Sequence, residues 1–407
     1  MNSAIAWEVE ASQRFRAPFT VLTRPRRGGV LEIFPDRFPG NSGPADSSWS
    51  PSPVVPLGII CDGAPRTLWL KLEAHNPYGS IKGRTAFALW QSVKDRIDAR
   101  IGLIESTSGN LGLALAGLAA SLHVPFTAVV DPRVSPSVQN ALRVMGAKVV
   151  VVDRPDGAGG FLLNRLAHVA QRVSREPGLV WPNQYTNPAN PAVHAQWTAP
   201  ELRTQLPAKP MSVLVAVSTG GTLAGFRDYV SAHSPDWELI GVDVVGSVAL
   251  GDVHGERVLS GIGASRRSTF LPHGYRPAVH IDPPEAVSAC LWLKETTGIA
   301  VGSSSGALVA TALRLFHEDP ARTDIVCLCP DGGDRYLDTV YSPLWRSEHD
   351  LAAVDIAAGI TGGSVLDASS GAAPGFDRPG TEDSVQEGPA QGDPAQEVPA
   401  HGEVTLS

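Results

Sequence analysis

A chain of 407 residues, 43% of them apolar, is long enough for two domains and a sizeable buried core. Its formal net charge of −8 gives no broad electrostatic case for nucleic acid or an anionic membrane as a partner. No apolar run approaches the length of a membrane span and no charged-then-apolar signal pattern opens the chain, so the cytoplasm is the expected compartment.

Residues 1–50 carry frequent Pro, Gly, Arg and Ser without sustained periodicity and read as an N-terminal extension. An apolar strand over 67–72 leads into Asn76-Pro77-Tyr78-Gly79-Ser80-Ile81-Lys82-Gly83-Arg84, a turn from which a helix starts at about 84. A strand over 100–105 precedes a helix over 111–122, and a strand over 124–131 precedes a helix from 135. The valine-rich run 147–153 predicts a strand covered on both faces, and apolar spacing predicts a helix over 161–173. A second set follows, with a strand over 212–217, a helix over 221–233 and a strand over 239–245. Helices then fit 284–297 and 305–318, before a strand over 325–329. From 359 the chain turns to Gly, Pro, Ala, Asp, Glu and Gln, which cannot offset the entropy of ordering and predicts a disordered acidic tail over 359–407.

Such alternation implies an α/β fold of mainly parallel sheets flanked by helices, with ligands at the carboxyl ends of the strands. Four cysteines do not make a disulfide framework in a chain of this size. Cys61 and Cys290 are isolated, while Cys327 and Cys329 alternate in a strand that puts both thiols on one face. No Cys or His stands near that pair at zinc spacing, so core packing is expected and no metal.

The Gly- and Ser-rich junctions fall at the strand ends. A lysine at a loop-to-helix junction, screened from water, loses its proton more easily and can condense with an aldehyde. Alone, a motif as short as that around Lys82 is more often a solvated surface lysine. Glu105-Ser106-Thr107-Ser108-Gly109-Asn110 offers free helix amides and hydroxyls to a carboxylate, although a capped helix with a Gly-rich turn explains it too. Ser218-Thr219-Gly220-Gly221-Thr222 can wrap a phosphate, and no P-loop lysine follows it. Gly302-Ser303-Ser304-Ser305-Gly306 is a third such junction, and Pro330-Asp331-Gly332-Gly333-Asp334-Arg335-Tyr336 would face the same cleft.

Asn-Pro-x-Gly-Ser-x-Lys, Thr-Ser-Gly-Asn, Thr-Gly-Gly-Thr, Gly-Ile-Gly-Ala, Ser-Ser-Gly and Pro-Asp-Gly-Gly occur in that order. From about 54 to 345 the chain resembles the cysteine synthase family, the fold-type II pyridoxal-phosphate enzymes. The resemblance implies two domains with the active site in the cleft between them. The larger, phosphate-binding domain would be 51–73 with 188–346, and the smaller, lysine-bearing one 74–187. It implies that Lys82 forms the internal aldimine with pyridoxal 5'-phosphate and that Asn110 contacts the ring hydroxyl. Ser218, Thr219, Gly220, Gly221 and Thr222 would cradle the phosphate, and Ser304 would bond the pyridine nitrogen. Thr107, Ser108 and Gln184 would bind the substrate carboxylate. The family reaction eliminates an activated serine to an aminoacrylate and adds a nucleophile at Cβ, with the displaced lysine as acid and base. A homodimer acting on small amino-acid substrates is the family expectation.

Other phrases are similar to one branch, the siderophore-pathway synthases that join O-phosphoserine to glutamate in making a 2,3-diaminopropionate precursor. They include Val130-Asp131-Pro132-Arg133-Val134-Ser135-Pro136, Gly261-Ile262-Gly263-Ala264-Ser265-Arg266 and Asp334-Arg335-Tyr336-Leu337-Asp338. Gly261, Ala264, Ser265 and Arg266 are then expected at the substrate, with Ser265 and Arg266 suited to a phosphate leaving group or a glutamate carboxylate. Solvation of both arginines, Arg266 and Arg267, is the other reading. Asn187-Pro188-Ala189-Asn190-Pro191 is closer to ordinary cysteine synthases, Gly83 replaces the acidic residue common after the lysine and Ser218 stands where sulfhydrylases usually have glycine, which together leave the acceptor open. A cysteine or S-sulfocysteine synthase is therefore the alternative, and a catalytically silent binding partner is the reading from another class.

Overall fold

The computed structural model describes residues 49–157, 160–251 and 253–366. The described residues open with a hairpin, Val54–Cys61 (β1) and Ala64–Leu72 (β2). Its turn residues Asp62 and Gly63 have φ of 49° and 78°, the left-handed pair that tight hairpins favour. Lys82–Val93 (α1) follows, then Leu103–Ser106 (β3), Asn110–Ser121 (α2), Phe126–Val130 (β4), Pro136–Val144 (α3), Lys148–Val151 (β5) and Leu162–Arg175 (α4). Ala189–Val193 (α5), a π-helical turn His194–Thr198 and Ala199–Gln205 (α6) form one bent helical stretch. Met211–Ala216 (β6), Gly221–His233 (α7), Trp237–Val244 (β7), Ala278–Ile281 (β8), Pro283–Thr297 (α8), Ser303–Glu318 (α9), Asp324–Cys329 (β9), Pro343–Glu348 (α10) and Ile360–Val365 (β10) complete it.

Seven strands form one sheet in the order β10-β1-β2-β9-β6-β7-β8, parallel from β2 to β8 and antiparallel at β1 and β10. Its central strands alternate between two cores, as a sheet covered by helices on both faces requires. Ile325, Cys327 and Cys329 of β9 pack with α8 and α9, whereas Val326 and Leu328 pack with residues of α6 and α7. Both cysteines thus share one apolar face. The second sheet, β3-β4-β5, is parallel. Leu103 packs toward α1 and α2, and its neighbour Ile104 packs toward Val169 of α4.

Several expectations are corrected. The valine run expected to be covered on both faces is β5, the outer strand of the second sheet, and Val151 is 42% exposed. β-branched content signals a strand but not how many neighbours it has. The strand expected from 100 starts at Leu103, because Gly102 turns the chain at φ 84°. The helix expected from 305 starts at Ser303, which brings Ser304 into its first turn. Residues 360–365, read as the start of a disordered tail, form β10 against β1. The rest of that tail, from 367, and the extension up to 48 lie outside the described residues.

Candidate active site

The carboxyl ends of β3, β4, β6 and β9 meet at a cleft of about 850 Å³, which adjoins a smaller pocket of about 410 Å³. Lys82 lines both. It is the first residue of α1. The turn before it is pinned to the end of β9, since Ile81 N donates to Pro330 O at 2.8 Å and Ser80 bridges Asp331. Burial lowers the Lys82 pKa to about 8, against the charge of Asp331, which raises it. A neutral amine is therefore accessible near neutrality.

Arg84, in the first turn of the same helix, fixes that position further. Its fully buried guanidinium donates from Nε to Glu73 Oε2 at 2.9 Å and from Nη1 to Glu201 Oε2 at 2.7 Å. It also lies 4.7 Å from the centroid of the Trp197 ring. Lys71, equally buried, completes the cluster through Glu201 and the carbonyl of Ser52 at 2.7 Å. Nothing in the sequence marked Arg84, because its partners come from the turn after β2 and from α6.

The loop between β3 and α2 forms one wall. Thr107 Oγ1 accepts from Gly109 N at 3.1 Å and Gly112 N at 2.9 Å, so its lone pairs are taken and its proton can be donated. Gly109 holds φ at 135°. Gln184 uses one amide hydrogen on Ser106 O at 2.7 Å and keeps the second for a ligand. Beneath this loop Glu105 is wholly buried, and desolvation raises its pKa to about 7 despite bonds from Trp181 and the amides of Ser106 and Gln184.

Asn110 opens α2 and reaches the opposite wall. Its Nδ2 donates to Asp331 Oδ2 at 2.6 Å, an oxygen that also accepts from Tyr336 Oη at 2.7 Å. Its Oδ1 accepts from Arg335, which also donates to the Tyr78 carbonyl. Ser304 lines the floor with Gly261.

The smaller pocket is a cradle of hydroxyls and amides with Lys82 as its charged residue among the described lining. Ser218, Thr219, Gly220 and Thr222 line it where α7 begins. Gly220 has φ 85°, and any Cβ there would overlap Ser268. Gly221, behind the rim, packs so closely on Asn190 that a side chain cannot be admitted. Thr222 Oγ1 lies 3.3 Å from His194 Nε2, which also meets Thr85 Oγ1 at 3.2 Å. Burial holds His194 neutral, well below its ordinary range.

Three of the expected residues are elsewhere. Ala264, Ser265 and Arg266 do not line the cleft. After Gly263 the chain folds back onto the ends of β6 and β7, where Gly263 N donates to Val217 O and Ala264 N to Ser247 Oγ. Ser265 is buried and accepts from Arg257 Nη2 at 2.7 Å. The arginines that do line the cleft are Arg133 and Arg335. Arg133 follows β4 in a turn where its amide donates to Asp131 Oδ1 at 3.0 Å, and its guanidinium stands over the Phe161 ring. Its place after a strand end was the signal available in the sequence.

A family model described as pyridoxal-phosphate dependent enzyme matches residues 46–331. The chain belongs to this family of pyridoxal-phosphate dependent enzymes. The N-(2-amino-2-carboxyethyl)-L-glutamate synthase of Ralstonia nicotianae is 39% identical over 321 residues, covering 78% of this chain and 93% of that protein. Its counterpart in Cupriavidus metallidurans is 40% identical over 303 residues, covering 72% and 88%. Among solved structures, the O-acetylserine dependent cystathionine beta-synthase of Helicobacter pylori superposes with a TM-score of 0.65 at 28% identity, covering 73% of this chain and 97% of that one. The fold is therefore that of the fold-type II pyridoxal-phosphate enzymes, and pyridoxal 5'-phosphate is the cofactor. The site fits it. A lysine with a lowered pKa stands between a hydroxyl-rich helix N-terminus, which suits a phosphate, and a cleft lined by hydroxyls and amides that include the uncharged Ser304.

Proposed function

We propose that this enzyme is a β-replacement synthase that acts on an activated serine, O-phospho-L-serine, and adds the amino group of L-glutamate at Cβ to make a 2,3-diaminopropionate precursor. The observation that supports it most is the placing of Lys82 between a phosphate cradle and a carboxylate-binding loop, in a chain about 40% identical to synthases named for that product. The bound cofactor supplies an electron sink for the carbon that bears the substrate amine. The chain's own groups do the rest. The Lys82 Nζ holds the cofactor and then takes and returns the proton at Cα. Thr219, Thr222 and the first amides of α7 bind the phosphate. Thr107, Ser108 and the second hydrogen of Gln184 Nε2 bind the substrate carboxylate. Ser304 meets the ring nitrogen as a neutral partner, which moderates the electron sink and favours loss of a β-substituent over transamination. Arg133 supplies cationic charge for a departing phosphate or a second carboxylate. The larger and smaller domains proposed to flank the cleft are 51–73 with 188–346, and 74–187. The enzyme is proposed to work as a cytoplasmic homodimer.

A sulfur nucleophile is the second reading, favoured by the likeness to the Helicobacter pylori enzyme. The test is the cofactor's visible band. O-phosphoserine should shift it and L-glutamate should restore it, with the new amino acid appearing in the products. Restoration by sulfide or thiosulfate alone would replace this proposal with a cysteine-type synthase. Lys82→Ala should lose the lysine-linked band and about 10²- to 10⁴-fold in turnover.

A further inference from the structure

At the far end of α9 from the cleft, three metal-ligating side chains converge. Cys61 ends β1, Asp62 follows it in the hairpin turn, and His317 lies in the last turn of α9. Their donor atoms lie within 4.8 Å of one another. Cys61 Sγ is 3.5 Å from His317 Nδ1 and 3.8 Å from Asp62 Oδ2, and Asp62 Oδ2 is 2.6 Å from the same Nδ1. A Cys-His-Asp relay would use the two ring nitrogens separately, one for the thiol and one for the carboxylate. Here both partners crowd a single nitrogen, so no relay can form. Three donor atoms held within 4.8 Å of one another are instead the arrangement of a chelate.

We propose that Cys61, Asp62 and His317 bind one divalent zinc ion, with solvent completing its coordination. A tetrahedral zinc with one thiolate at about 2.3 Å and nitrogen and oxygen at about 2.0–2.1 Å has S–N and S–O edges of about 3.5 Å and an N–O edge of about 3.3 Å. Both sulfur edges are already close to those lengths. The N–O edge is short because a hydrogen bond joins Asp62 and His317, and as the metal takes Nδ1 the imidazole hydrogen passes through solvent to Nε2. Thiolate with imidazole favours zinc among the common divalent ions, and the two negative ligands balance its charge. Cys61 binds as the thiolate, so its thiol proton is released to solvent as the sulfur–metal bond forms. Solvent reaches the ion from the Asp62 side, where that side chain is 59% exposed.

The ion would join three segments. The hairpin turn and the end of α9 supply ligands, and Asp62 N donates to Gly359 O at 3.1 Å, where the chain enters β10. Ser304 at the other end of α9 is thirteen residues from His317, roughly 20 Å along the axis. Metal binding and cofactor binding are therefore separable. Sequence spacing could not reveal the site, because Cys61 and His317 are 256 positions apart.

The test is to dialyse the holoenzyme against zinc and then metal-free buffer, and to measure retained zinc with its K-edge absorption. One zinc per chain with one sulfur neighbour is expected, lost in Cys61→Ser and His317→Gln. It should be retained in His349→Gln, a change elsewhere on the surface. Cofactor content should be the same in all four proteins. Retention no greater than in Cys61→Ser, or a bound zinc without a sulfur neighbour in the wild type, would overturn the assignment. The wild-type spectrum decides even where a variant fails to fold.

Discussion

Asn110 Nδ2 donates to Asp331 Oδ2 at 2.6 Å, so the residue that opens α2 is held by a carboxylate at the end of β9. The same carboxylate raises the pKa of Lys82 against the effect of burial. Asp331→Asn keeps an acceptor for Asn110 but removes the charge. The Lys82 pKa should then fall below its value of about 8, and more of the amine should be neutral at any pH below that. Capture of added cofactor by the apoenzyme, followed as a rate against pH, should show its acid limb moved to lower pH. A limb that stays put or moves up would mean the two groups are not coupled.

Arg84 supports the site without touching the cleft. Replacing it by Met leaves Glu73 and Glu201 buried and facing each other with Lys71 alone to neutralise them. Removing one partner from a buried ion cluster costs about 3–5 kcal/mol. Urea unfolding of the holoenzyme should show a loss of that order. A loss under about 1 kcal/mol, the range of exposed pairs, would mean that water reaches the cluster.

Much of this was legible in the sequence. The alternating apolar residues of β9, split between two cores, follow from strand period alone. The Lys82 turn was readable because Asn-Pro and Tyr-Gly punctuate it at a strand end, and the Ser218–Thr222 cradle because adjacent glycines precede a helix. Other features were hidden for physical reasons. Ile360–Val365 contains two adjacent glycines and becomes a strand only because β1 offers an unpaired edge. Ser265 and Arg266 were misplaced because a Gly-rich phrase does not reveal which way the chain turns after Gly263. The burial of Arg84 depends on carboxylates from the turn after β2 and from α6 that no local pattern announces.

Glu105 carries a pH dependence of stability. Its folded pKa, about 7, lies above the ordinary 4.5, so the folded state binds more protons between those values. Its stabilising contribution is complete below about pH 4.5 and is lost as pH rises through about 7. The amplitude is on the order of 2–4 kcal/mol. Glu105→Gln should flatten this slope, at the cost of turning an amide donor toward N–H groups that need an acceptor. Unfolding measured from pH 5 to 8 checks it, and an equal slope in both proteins would contradict the assignment.

Thr222 and His194 make the last prediction, which turns on a tautomer. For Thr222 to donate its proton to a phosphate, its oxygen must accept from His194, so Nε2 must carry the imidazole hydrogen. Nδ1 is then an acceptor, and Thr198 Oγ1, 2.9 Å away, is placed to donate to it. Thr198→Val removes that donor and leaves Nδ1 free to carry the hydrogen instead, which would claim the Thr222 proton for Nε2. Thr222→Val should weaken cofactor retention roughly 10- to 100-fold, the worth of one hydrogen bond to a charged group. Thr198→Val should weaken it in the same direction and by less, because the favourable tautomer is disfavoured but still reachable. Equilibrium dialysis of cofactor from both variants and the wild type measures the order. Retention in Thr198→Val equal to wild type, alongside a loss in Thr222→Val, would show that the tautomer is set by something other than Thr198.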